Sequence, residues 1–502
     1  MKQRKSDQAV RRKSLRRSVK LSDYSSFSFD MLYQLSYMSV VAGAGAPRDH
    51  IFRRAAELPC SLADYFMRVE RTRRRLGCDY AKACRMVAEA IDKEEIKALL
   101  LRLSSSLVSG EPESEFLKNE AEAQSMAYTN EYERSLESLK QWTDAYVSLV
   151  MAAVLVVIIG VVSTMIWKMS VVFILTMVGI SIGIAAIGVW LIYLLSPREI
   201  VVPAQPGSRE QKLVKRLVPV LLPLALVVCV LLALTGMGAG WIMMAVALVI
   251  FPIGYLSVKD DRRVTKKDME LGPFLRSLGG VASAIGTTVK DALGRLDLDS
   301  IRNLRPDLRR LNASLRSGLT PRVCWARFTN DTGSELAKRS VGMFYDVVEV
   351  GGEPEEAGQR AAFYASNLAM LRARRKTVSF PFRWLCIGMH AALTGLLIFV
   401  VQVVATFGSM VAEAQAPALD TASGLTMGYF TSFNLGGLEL MQRLVLPLVI
   451  VFTVSNALAP SIADGGSRWK IVYHLGLTAF ISGASLVCLP EVAEMIFSAV
   501  ER

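Results

Sequence analysis

Seven stretches of this chain are long, apolar and free of Asp, Glu, Lys and Arg: 146–167, 171–195, 217–234, 238–256, 384–407, 444–462 and 471–489. A helix needs about 20 residues to cross a hydrocarbon core about 30 Å thick, and each stretch approaches or exceeds that length. Only helices and closed barrels satisfy every backbone group inside such a core, and uninterrupted apolar runs of this kind mean helices. The third and fourth stretches are joined only around Thr235, Gly236 and Met237, close enough for a tight hairpin. The expected fold class is therefore an all-α polytopic membrane protein with about seven transmembrane helices. No cleavable signal peptide is expected, because the basic N-terminus has no apolar run behind it.

Every charge falls outside those stretches. The chain holds 58 Lys and Arg against 45 Asp and Glu, a formal net charge of +13, and its mean hydropathy is still positive at +0.35. Lys and Arg number 25 in residues 1–145, 5 in 196–216, 23 in 257–383 and 2 in 463–470. The alternate side holds only Lys168, Arg443 and Arg502. Positive residues collect on the cytoplasmic side, so the N-terminus is expected inside and the C-terminus outside. The expected organisation has a basic, disordered leader at 1–27 and a first cytoplasmic helical domain at 28–145. Four spans follow at 146–256, with a cytoplasmic linker at 196–216. A second cytoplasmic helical domain occupies 257–383, and three spans at 384–502 enclose an acidic outer loop at 408–443.

The two cytoplasmic blocks share punctuation. Gly110-Glu111-Pro112-Glu113 recurs as Gly352-Glu353-Pro354-Glu355, Arg75 and Gly77 recur as Arg316 and Gly318, and Cys84 matches Cys324, all displaced by 240–242 residues. An ordered series at nearly constant spacing points to a duplicated domain. Both copies read as helical bundles: Met86, Ile91, Ile96, Leu99, Leu100 and Leu103 recur on three- and four-residue steps. In the Gly-Glu-Pro-Glu element, Gly110 and Gly352 can end one helix in the left-handed conformation, and Pro112 and Pro354 suit the first turn of the next. The acidic residues then meet the positive end of that helix dipole. The element either turns the chain and no more, or projects its glutamates toward a partner.

Chemistry of the usual kinds is missing from the sequence. There is no GxxxxGK[ST] phosphate loop, no GxSxG and no HExxH, so no catalytic, cofactor-binding or metal site is expected, and no cofactor. The seven cysteines include no CxxC pair and read as small buried thiols. His50, His390 and His474 are far apart and read as ordinary hydrogen-bonded histidines. Ionisable groups inside the spans would mark an ion pathway, and there are none among Asp, Glu, Lys and Arg. Gln402, His390, Asn456 and Ser163 are better suited to joining helices. Basic runs are the remaining signal. Arg71, Arg73, Arg74 and Arg75 in the first block have a counterpart in Arg302, Arg305, Arg309, Arg310 and Arg316 in the second. Each is either a solvated helix face or a docking face for an acidic partner. Arg372, Arg374, Arg375 and Lys376, just before the fifth span, are expected to face lipid headgroups. Charge alone permits nucleic-acid binding, but no fold or aromatic pattern supports it, and none is expected.

Two helical cytoplasmic domains, each leading into membrane helices and each with a Gly-Glu-Pro corner, resemble the type II secretion F (GspF) superfamily. Phe274–Gly279 (FLRSLG), Val350–Gly358 (VGGEPEEAG), Leu371–Lys376 (LRARRK) and Ser455–Pro460 (SNALAP) are similar to motifs of its archaellum-assembly (FlaJ) branch and of Tad-pilus platform proteins. The resemblance runs from about residue 28 onward. It implies a non-enzymatic inner-membrane platform of a type IV filament (archaellum or pilus) or type II secretion-like machine. Its implied partners are a hexameric secretion ATPase, pilin-like subunits in the bilayer and a second copy in a homodimer. Glu111, Glu113, Glu353 and Glu355, with Arg74, Arg75, Arg309, Arg310 and Arg316, are the residues such an ATPase would meet. A transporter or receptor with a large cytosolic regulatory domain is the alternative.

Overall fold

The computed structural model describes residues 27–166, 170–203, 205–415 and 435–500. The leader up to residue 26, Lys168, Asp420 in the acidic loop, and Arg502 lie outside the described residues. Among the described residues there are sixteen helices and no strand. They are α1 (Phe27–Gly43), α2 (Arg48–Ala55), α3 (Ala63–Leu76), α4 (Tyr80–Glu89), α5 (Glu94–Ser109), α6 (Glu113–Ile166), α7 (Val171–Leu195) and α8 (Arg209–Leu234). The second half continues with α9 (Ala239–Ile285), α10 (Val289–Arg295), α11 (Arg305–Arg316), α12 (Pro321–Thr332), α13 (Glu335–Glu349), α14 (Pro354–Gln415), α15 (Leu435–Asp464) and α16 (Lys470–Val500). Seven of them, α6–α9 and α14–α16, are long and apolar enough to cross a membrane. They take in the seven stretches read from the sequence except Gly238, just before α9, and Trp167, which lies outside the described residues, and the protein is an all-α, multi-pass membrane protein.

The chain divides into two compact units. One comprises Met1–Arg134, Pro197–Lys212 and Asp260–Arg374, the other Ser135–Ser196, Leu213–Lys259 and Arg375–Arg502. In the first unit, helix starts recur at a fixed spacing. Arg48, Tyr80, Glu94 and Glu113 open α2, α4, α5 and α6, and Val289, Pro321, Glu335 and Pro354 open α10, α12, α13 and α14, each 241 residues later. The left-handed glycines Gly45, Gly77 and Gly110 are followed at the same interval by Gly286, Gly318 and Gly351.

Local chemistry explains the boundaries. Thr288 and Ser334 cap α10 and α13 by accepting from Asp291 N and Ala337 N, and proline stands at or next to the first position of α11 and α12. The apolar steps of α4 and α5 turn Ile96, Leu99, Leu100 and Leu103 inward, and Ile91 between the two helices is also buried. Met86, which the same periodicity places with them, is instead 40% exposed. Cys84 and Cys324 are buried, and burial pushes the Cys84 thiol up to about 12.

The segment between the second and third spans is stitched into the first unit. Glu335 N donates to Val201 O, Ser208 Oγ to Asp260, and Gln211 Nε2 to both Asp260 and Gly333 O. Gly207 lies so close to the end of α12 that an added Cβ would stand 1.6 Å from Asn330 O. In the second unit, α15 packs against α7 and α16 and is the most enclosed span, whereas α8 buries only Val214 and Ala225. Glycine permits close helix approach there: a Cβ on Gly254 of α9 would meet Tyr473 N of α16 at 2.3 Å, and one on Gly240 would meet Gly483 O at 2.8 Å.

Two outcomes follow. Gly207→Ala must displace backbone, and a cost of about 1–3 kcal/mol is expected, read as a lowered thermal midpoint of the detergent-solubilised protein. The raised Cys84 thiol stays protonated at pH 8, so maleimide should label it only after unfolding, as mass spectrometry of its peptide would report.

Candidate functional site

The two Gly-Glu-Pro corners differ in detail. At the first, Gly110 is left-handed (φ 75°) and closes α5, Pro112 precedes α6, and Glu113 forms an ion pair with Arg48. Glu111 is exposed and Glu113 is only half-exposed. At the second corner the left-handed residue is Gly351 (φ 87°), not the expected Gly352. Gly352 is there for a different reason: its amide bonds Val347 O, and a Cβ would fall 2.4 Å from Ala44 Cβ. Two consecutive glycines cannot be told apart by sequence, and the helix register assigns the turn to the first of them. Pro354 opens α14 as expected, with Glu353 and Glu355 exposed and Gln359 donating to Glu355 at 3.3 Å.

A cleft of about 220 Å³ lies between this second corner and the α1–α2 turn, bounded by Ala44–Pro47, His50, Asp346 and Val350–Gly352. Tyr37 Oη donates to Asp346 at 2.8 Å. His50 Nε2 accepts from Arg54 at 3.4 Å, so Nδ1 carries the proton of the neutral ring and has no partner among the described residues. Burial, then Arg54 and Arg53, hold the pKa of His50 below its ordinary value.

The arginine clusters are only partly free. Arg74 pairs with Glu70 at 2.7 Å and Arg73 with Asp49 at 3.0 Å. Glu70 also accepts from Tyr80 Oη at 2.8 Å, and burial, then this bond, raise the Tyr80 pKa. Arg310 is held by Asp307 at 2.5 Å, and the same aspartate takes Lys267 at 2.6 Å. Arg75, Arg309 and Arg316 are exposed.

The basic run before the fifth span corrects the sequence reading most. Arg372 and Arg375 are buried, at 6% and 5% exposure, and do not face lipid. In the first unit Arg372 bonds Glu199 at 2.8 Å, Asp268 at 3.0 Å and Ile200 O at 3.1 Å. Tyr132 donates to the same Glu199, and Ser334, the cap of α13, to the same Asp268. In the second unit Arg375 donates to the carbonyls of Ala463 and Ile462, at the C-terminal end of α15, and to Ser196 Oγ. That end of a helix is the negative pole of its dipole. Arg374 is exposed and pairs with Glu133, and Lys376 is half-buried. A third buried guanidinium, Arg339, pairs with Glu335 at 3.2 Å and lies over the rings of Phe29 and Tyr33.

Within the second unit a polar node joins α6, α14, α15 and α16. His390 bonds Ser482 at 2.8 Å and Asn456 at 3.1 Å, and Tyr146 donates to Asn456 at 2.9 Å. His390 and Asn456 thus join helices, as the sequence implies, whereas Ser163, among the described residues, bonds its own helix at Ile159 O. His474 departs from expectation: it is buried and neither ring nitrogen has a partner among the described residues. No group of His, Cys, Asp and Glu among the described residues is arranged to hold a metal ion.

The chain is similar to two curated proteins named flagella accessory protein J. The one from Methanocaldococcus jannaschii is 23% identical over 415 residues, which cover 79% of this chain and 72% of the relative. The one from Methanococcus voltae is 26% identical over 326 residues, 60% of this chain and 56% of the relative. The resemblance to this group read from the sequence motifs is borne out. No protein-family profile and no solved structure matches the chain.

Arg372→Ala would strand two buried carboxylates, a change that costs about 3–5 kcal/mol when a buried pair loses one partner. The expected result is a large fall in thermal midpoint, with Arg372→Lys intermediate and Arg374→Ala unchanged within error.

Proposed function

We propose that this chain, a relative of the flagella accessory protein J proteins, is the membrane platform on which an archaellum-type filament is assembled. The observation that carries this reading is the extent of the similarity: 415 aligned residues take in most of a chain that also has seven candidate spans. The chain does no chemistry of its own. A cytoplasmic hexameric secretion ATPase supplies the energy, and pilin-like subunits in the bilayer are the cargo.

The charge distribution supports an orientation. With 55 of 58 Lys and Arg on one side of the spans, the positive-inside rule puts the first unit, the N-terminus and the segment 197–212 in the cytoplasm and the C-terminus outside. The recurrence of helix starts at 241 residues supports a duplicated cytoplasmic domain. Four helices, α6, α8, α9 and α14, contribute residues to both units, so displacement of the cytoplasmic part has a covalent, helical route to the membrane part. A second copy in a homodimer would present four such domains to the motor. The exposed carboxylates Glu111, Glu353 and Glu355 remain candidates for the motor contact, whereas Glu113, Arg74 and Arg310 are engaged within the chain.

Deleting the gene in its host tests this reading. Electron microscopy should show cells without the filament while the ATPase and unassembled subunits accumulate. Normal filaments on the deletion strain, or solute-dependent flux through the purified chain in proteoliposomes, would contradict it.

A further inference from the structure

The first unit carries one surface feature twice, at positions related by the same 241-residue interval that separates its helix starts. Arg75, Lys82 and Met86 stand at the end of α3 and along α4, and Arg316, Val323 and Arg327 occupy the corresponding places at the end of α11 and along α12. Each set presents two cations and one apolar side chain. On the two helices the cation and the apolar residue have exchanged places: Lys82 precedes Met86 by one turn, and Val323 precedes Arg327 by one turn. All six side chains are exposed, Met86 by 40% and Val323 by 61%.

Several of the neighbouring arginines are already neutralised, and what sets these six positions apart is their recurrence at the 241-residue interval. Arg73, Arg74 and Arg85 pair with Asp49, Glu70 and Glu89, and Arg305 and Arg310 pair with Asp299 and Asp307. Arg75, Lys82, Arg316 and Arg327 have no ion pair among the described residues. A cation pair around one exposed apolar side chain suits a partner surface with carboxylates around an apolar depression, and unscreened charges of this kind steer encounter. Two copies of the feature on one chain suit a partner that itself repeats the complementary surface.

We infer that the two triads form a bivalent dock for an oligomer of identical subunits, each offering one acidic and apolar contact, with one triad engaging each of two subunits. This deepens the platform reading and rests on it, since the secretion ATPase is the oligomer it supplies. Linking two contacts makes the second intramolecular, and the overall affinity exceeds that of either contact by roughly 10²–10⁴-fold.

The test uses the full chain in nanodiscs and the purified hexameric secretion ATPase of the same organism, with capture measured at several salt concentrations. Three variants are compared: Arg75→Glu with Lys82→Glu, Arg316→Glu with Arg327→Glu, and all four together. All substituted sites are exposed, and circular dichroism checks that each variant folds. Either double variant should weaken capture on the order of 10²-fold, by similar amounts, and the quadruple variant should abolish it. A dispersed, single-subunit form of the ATPase should bind wild type and either double variant with little difference. If one double variant is neutral, or if one alone abolishes capture, the dock is not bivalent while the platform reading stands. If wild type captures no ATPase at any salt concentration, the platform reading itself fails, and this inference with it.

Discussion

Hydrocarbon accepts a polypeptide only when every backbone amide is bonded within its own segment and charge is kept away. Everything else in this protein follows from meeting that condition seven times in 502 residues. The spans become helices with no Asp, Glu, Lys or Arg in their apolar stretches, and all of the charged groups are left to the connecting segments. Those segments are therefore dense in charge, and a compact helical unit built from them has to bury some of it. Arg339 and Arg372 show how: each buried guanidinium meets carboxylates at hydrogen-bond distance, Arg339 with aromatic faces beside it. Ion pairs of this kind add little net stability over apolar packing, but they penalise any arrangement in which one partner is missing.

The pairing at Arg372 makes the segment 197–212 part of the first unit. Glu199 from that segment and Asp268 from α9 converge on one guanidinium of α14, and Ser334 at the start of α13 is bonded to the same aspartate. A loop between two membrane spans is thereby fixed by specific bonds. In the proposed platform, such fixing would keep displacement from being lost in slack connections.

Much of this was legible in the sequence, and the part that was not has a physical reason. Span number, helix class and the corner prolines depend on local composition and spacing, and these survive into the structure. The fate of Arg372 does not, because its partners lie 173 and 104 residues away. A basic run beside a span looks the same whether it meets lipid phosphate or a distant carboxylate. The Gly351–Gly352 pair failed for a subtler reason: both glycines are required, one for its left-handed backbone and one for close approach to Ala44, and only packing assigns the roles. Periodicity likewise placed Met86 with the core of α4, where the fold leaves it at the surface. The docking candidates were legible as residue types, but which of them are free depended on ion pairs, several of them formed with acids outside the clusters.

The central claim is that this chain couples chemistry done elsewhere and performs none itself. The most direct measurement is ATP hydrolysis by the hexameric secretion ATPase, with and without the full chain in proteoliposomes. The account predicts no hydrolysis by the chain alone and a several-fold rise in the ATPase turnover when it is present. Turnover unchanged by the chain under conditions where both are folded, or hydrolysis by the chain alone, would contradict it.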